Sequence, residues 1–76
     1  MDITKDLSYQ EGYWAGKSVI KNIEFTTYKD LETAIAIKEN LITNFENDFG
    51  YTREDWNKDS NYSYNCGMLD KLLEEN

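Results

Sequence analysis

Between Thr27 and Gly50 the apolar side chains Tyr28, Leu31, Ile35, Ile42, Phe45 and Phe49 fall at steps built from three and four residues. At about 100° per residue this places them on one face of a helix. Ala34 and Leu41 widen the stripe, so the helix is expected to contact two others. An amphipathic helix draws most of its stability from what its apolar face packs on. With 76 residues in the chain, there is room for one domain and one core. Lys38 falls within the stripe and is expected to carry its ammonium outward on its aliphatic stem. Gly50 is suited to the left-handed residue that ends a helix.

Three capping signals divide the rest of the chain. Ser8 precedes Glu11 by three residues, a capping-box spacing, and Thr27–Asp30 and Thr52–Asp55 repeat it with a shorter acid. Helix one is predicted from about Tyr9 to Glu24, with Tyr9, Gly12, Gly16, Val19, Ile20 and Ile23 on one face. Two glycines in a helix cost roughly 1 kcal/mol each relative to alanine; the return is close approach of another backbone, from this chain or from a second copy. Glu11, Lys17 and Lys21 interrupt this segment and exclude a membrane-spanning reading. Residues 51–60 read as an acidic, irregular connection with one helical turn after Thr52. A last helix is predicted from about Asn61, with Tyr62, Cys66, Leu69, Leu72 and Leu73 as its apolar face. The expected fold is all-α: a compact three-helix bundle over residues 1–76, with the acidic connection between helices two and three. A strand at residues 23–27 would have no partner strand. Tyr9-Gln-Glu-Gly12 matches Tyr64-Asn-Cys-Gly67, but the helical wheel puts Gly12 inside and Gly67 opposite Leu69, so the match reads as coincidence.

Several functions are disfavoured by what the sequence lacks. There is no histidine, which removes the usual general base and the commonest metal ligand. Cys66 is the single cysteine, so no internal disulfide forms; it reads as a small core residue in a reducing, cytoplasmic setting. No basic-then-apolar leader is present, nor an apolar run of about 20 residues. Asp55-Trp56-Asn57-Lys58-Asp59 opens like an EF-hand calcium loop, but Ser60 stands where glycine is needed and Cys66 where the bidentate glutamate belongs. With no phosphate loop or nucleophile elbow, neither an enzyme nor a cofactor or metal site is expected.

Charge is the more informative feature. The net charge is −7. Residues 39–76 carry nine acids against Arg53, Lys58 and Lys71, so nearly all of the excess lies in the second half. Such a surface repels phosphate and attracts basic proteins. Glu46, Asp48, Glu54, Asp55 and Asp59 cluster around the connection and are expected to be mostly exposed. Trp14 points away from the Gly16 direction, and Tyr64 toward the outer side of its helix. Trp56 either joins this surface or covers an edge of the core. Acids paired with a partner's arginines and lysines, beside aromatic anchors, make a protein-binding surface.

In size, charge, lack of catalytic residues and Asn/Lys/Ile-rich composition the chain resembles small acidic phage-encoded inhibitors of host defence, the anti-CRISPR and DNA-mimic class. The resemblance transfers no binding residues. It implies a cytoplasmic inhibitor, acting in the host cell if phage-encoded, that occludes a basic, nucleic-acid-binding surface on a partner protein without touching nucleic acid or membrane. The alternative is a structural or regulatory helical module that self-associates through the Gly12/Gly16 face.

Overall fold

Each helix begins at an aspartate. In the computed structural model, which describes residues 2–76, Asp6 opens α1 (Leu7–Lys21), Asp30 opens α2 (Leu31–Phe49) and Asp59 opens α3 (Ser60–Glu74). Their carboxylates accept from the amides of Tyr9, Thr33, and both Asn61 and Tyr62, satisfying donors that the first turn leaves unpaired. Helix one therefore starts before the expected Ser8 cap and ends before Glu24. Its Asp6 carboxylate also accepts from the Ser63 hydroxyl at 2.5 Å, which ties this cap to α3. Helix two starts after Thr27, because Lys29 takes a left-handed φ of 71° that interrupts helical geometry at that point. Gly50, at φ 69°, closes α2 as expected. Residues 23–25 form a single 3-10 turn, and no strand occurs among the described residues. Such turns also form at Ile3–Lys5, ahead of α1, and at Arg53–Asp55, where Asp55 accepts from the Thr52 amide in a reciprocal capping box.

The all-α three-helix bundle is the fold that forms, and α3 is the helix on which both others pack. Contacts Asp6–Ser63, Tyr9–Asp70 and Tyr13–Glu74 advance together along both helices, so α1 runs parallel to α3. Contacts Lys38–Asn65 and Glu46–Tyr62 run in opposite order, so α2 is antiparallel to it. A central helix has two buried faces. Tyr62 and Asn65 reach α2, while Ser63, Gly67 and Asp70 meet α1. The core gathers Tyr9, Ala34, Ile35, Ile42, Tyr62, Cys66, Met68, Leu69 and Leu72, with Ile3 added from the N-terminal turn. Burying a side chain such as Leu72 contributes roughly 1.5–3 kcal/mol. Leu73 and Phe49, placed on apolar stripes by periodicity, are 45% and 60% exposed.

The glycines explain how closely α1 and α3 approach. A Cβ on Gly12 would stand 1.8 Å from the carbonyl oxygen of Tyr64, and one on Gly67 would stand 2.0 Å from that of Tyr9. The two Tyr-x-x-Gly segments therefore clasp each other reciprocally. The two segments do occupy equivalent places in the seam, and Gly67 is buried, not outward. A wheel with one apolar face misplaces it because the face of α3 toward α1 is made of small and polar residues. Gly12 and Gly16 are covered by α3 within the monomer, so that face is not available for self-association.

Candidate functional site

The expected partner-binding residues divide into those that hold the fold together and those left to solvent. Glu46 is half-buried and accepts from the Tyr62 hydroxyl at 2.8 Å; burial, then this carboxylate, push the Tyr62 phenol well above its ordinary pKa. Asp55 is half-buried, pairs with Lys58 at 3.0 Å, and its carboxyl is held below its usual range by the Thr52 amide and then by Lys58. Asp59, also half-buried, caps α3. The expectation that these three are mostly exposed is thus corrected: a chain rich in aspartate spends several of them on caps. Asp55 and Asp59 serve different helical starts, and among the described residues no three His, Cys, Asp or Glu side chains gather as a metal-ligand set.

Tyr64 is likewise corrected. It is half-buried and packs on the core cluster, with its carbonyl against Gly12. Trp56 is half-buried and also packs on the core, so it covers a core edge. Cys66 is fully buried, and burial pushes its thiol upward.

Asp48 and Glu54 remain exposed, and their carboxylates have no hydrogen-bond or ion-pair partner among the described residues. The cations nearest in sequence are engaged elsewhere. Arg53 makes a two-pronged bond to Asp70, at 2.8 and 2.7 Å, and Tyr9 donates to the same carboxylate at 2.5 Å. These bonds raise the Arg53 pKa further, while burial and then Asp70 raise that of Tyr9. This three-way node fastens the connection to α1 and α3. Lys38, the only basic residue of α2, does not reach outward as expected. It donates to Asn65 at 3.0 Å and is half-buried.

The solvent-facing charge of α2 is therefore acidic. Glu32 and Glu39 are exposed, and with Glu46 they repeat every seven residues along one stripe. The last turn contains no basic residue. The helix macrodipole adds roughly half a negative charge at this end, beside Glu46 and Asp48. The exposed aromatic group in this last turn is Phe49, stacked on Tyr51 with ring centroids 5.3 Å apart. With Leu41, Asn44, Phe45 and Asp48 it lines a hollow of about 200 Å³. Phe49 was expected in the core but is 60% exposed; it stands in the last turn before Gly50, and Phe45 and Tyr51 are the rings that meet Tyr62 of α3.

Trp14 is 67% exposed but belongs to a separate place. It lines a groove of about 360 Å³ with Thr4, Tyr9, Gln10, Tyr13 and Glu74, none of which comes from α2 or the connection. Trp14 and the acidic end of α2 are thus two distinct features. No helix among the described residues is long and apolar enough to cross a membrane. No family, curated protein or solved structure matches the chain.

Proposed function

We propose that this protein is an acidic binding module that occludes a basic, nucleic-acid-binding surface on a partner protein, in the manner of anti-CRISPR and DNA-mimic inhibitors. One observation carries the reading. Lys38, Arg53 and Lys58 are all engaged within the molecule, so Glu39 midway along α2, Asp48 in its negative last turn and Glu54 in the connection face solvent without counter-charges. Uncompensated acids are what a cation-rich surface would pair with in place of phosphate. Phe49, which lines one hollow with Asp48, supplies apolar contact area that such a partner would desolvate. Self-association through Gly12 and Gly16 has no comparable support, because α3 occupies that face.

The test is capture from a host lysate on the immobilised protein, followed by elution with duplex DNA. Nucleic-acid-binding proteins released by DNA and by salt are expected. Replacing Glu39, Asp48 and Glu54 with lysine should abolish their retention. Captured proteins that DNA does not release, or equal capture by the charge-reversed protein, would overturn the reading.

A further inference from the structure

We infer that the groove beside Trp14 is a slot for an arginine side chain of a basic partner, stacked on the indole and held by Glu74. The inference rests on the partner being basic and gives it a second contact, on a different part of the molecule.

The groove's one charged lining residue is Glu74. Its Oε2 accepts from the Tyr13 hydroxyl and lies 3.6 Å from the Lys71 ammonium. Its Oε1 has no partner among the described residues, and the side chain is 53% exposed. Gln10 donates its amide nitrogen to the Thr4 carbonyl at 3.3 Å, which leaves its own oxygen as a further acceptor. The exposed indole of Trp14 lines the same groove. That ring already attracts a cation: the Lys17 ammonium lies 4.1 Å from its centroid, although Lys17 is not part of the groove wall.

An aromatic ring and a carboxylate in one groove favour a planar cation. Guanidinium lays its plane on indole and offers several donors in that plane, so it can bond the free Glu74 Oε1 and a second acceptor together, which the compact ammonium is less suited to do. A phosphate would be repelled by Glu74, and an apolar side chain would desolvate that carboxylate without pairing it. A volume near 360 Å³ is at the small end of the roughly 300–1,000 Å³ typical of ligand sites, and suits one side chain, not a helix.

The test uses the whole isotope-labelled protein and a short peptide of alternating glycine and arginine. Two control peptides replace every arginine with lysine or with citrulline, its neutral isostere. The indole N–H resonances of Trp14 and Trp56 are followed by NMR, with Trp14→Leu providing the assignment. The arginine peptide should shift the Trp14 resonance saturably and bind there about tenfold more tightly than the lysine peptide. The citrulline peptide should leave it in place, and Glu74→Gln should weaken the arginine response about fivefold or more. Equal responses to arginine and lysine, or to arginine and citrulline, would overturn the slot, as would an unmoved Trp14 resonance. If the arginine peptide shifts only residues around Asp48 and Glu54, the slot fails while the reading of α2 stands. If reversing Glu39, Asp48 and Glu54 leaves partner capture intact while Trp14 still responds, the slot stands and that reading fails.

Discussion

Gly12 lies against the carbonyl of Tyr64 as Gly67 lies against that of Tyr9, so α1 and α3 are locked by two equivalent contacts between backbones. Neither contact can relax by turning a side chain. Added methyl groups would have to part the helices, and overpacking of this kind costs about 1–3 kcal/mol. Alanine regains only about 1 kcal/mol of helix propensity. Approaches of 1.8 and 2.0 Å call for the upper end of that range, so Gly12→Ala and Gly67→Ala should each lower stability by up to about 2 kcal/mol net, measured by denaturant unfolding. At Gly16 the approach is looser, with the Lys71 Cβ at 2.9 Å and the Met68 carbonyl oxygen at 3.2 Å, so a smaller parting of the helices admits a methyl group. Gly16→Ala should change stability by less than about 1 kcal/mol. Equal losses at all three positions would mean that the seam is not built on the two reciprocal clasps.

Ile35 and Ile42 are buried where Phe49 is not. Ile35→Ala and Ile42→Ala should each cost about 2–5 kcal/mol as large-to-small changes in a packed core. Phe49→Ala should cost less than about 1 kcal/mol, yet weaken partner capture. A large loss of stability from Phe49→Ala with capture unchanged would return Phe49 to the core and remove the aromatic anchor from the proposed surface.

Much of this fold is legible in the sequence, and the failures share a cause. The stripe of α2 is read correctly at Ile35 and Ile42 because there the helix has one buried side. The same reading fails for α3, whose buried faces include Ser63, Asn65 and Gly67, residues that carry no hydrophobic signal. Repetition of Tyr-x-x-Gly was the available clue to that second face. The acidic surface was legible as net charge but not residue by residue. Whether an aspartate carboxylate is free or bonded to a helix start depends on where that helix begins, and Asp30, Asp55 and Asp59 accept from amides at such starts. Glu74 escaped notice because its role as a groove wall arises only when α3 lies parallel to α1.

Buried phenols set an alkaline limit. Tyr9 and Tyr62 have pKa values raised above the unfolded tyrosine value by burial and by carboxylate neighbours. A raised folded pKa gives stability that is fully present below the unfolded value, about 10, and is lost as pH climbs above it. Chemical unfolding between about pH 9 and pH 11 should show falling stability, with a shallower slope in Tyr62→Phe. An identical slope in that variant would show that Tyr62 does not take part in the linkage.

Asp30 and Asp55 have the opposite linkage. Their carboxyls are held below the usual range, Asp30 by the Thr33 amide and Asp55 by the Thr52 amide. A depressed folded pKa gives stability that is present above the unfolded value, about 3.9, and is lost as pH falls through the folded one. Thermal unfolding should weaken below about pH 4, and Asp30→Asn should flatten this dependence while keeping a cap. An unchanged acid limb in Asp30→Asn would place the sensitivity in other carboxylates.

The acids at the end of α2 should cost the fold stability if they are retained for binding. Asp48 lies in the last turn, where the macrodipole is negative and no basic residue offsets it. Asp48→Lys should therefore stabilise the protein by about 0.3–1 kcal/mol at low salt. The gain should shrink near 1 M salt, where the screening length falls to about 3 Å. Glu46 sits in the same turn but accepts from Tyr62. Glu46→Gln weakens a charge-assisted bond to a buried phenol, so its net effect should be smaller than that of Asp48→Lys or reversed in sign. The measurement is the unfolding midpoint of each variant at both salt concentrations, alongside capture of the basic partner. Stabilisation by Asp48→Lys together with lost capture marks a charge kept against the interest of the fold. A destabilised Asp48→Lys would mean that this carboxylate supports the helix end, and the acidic surface would lose its central residue.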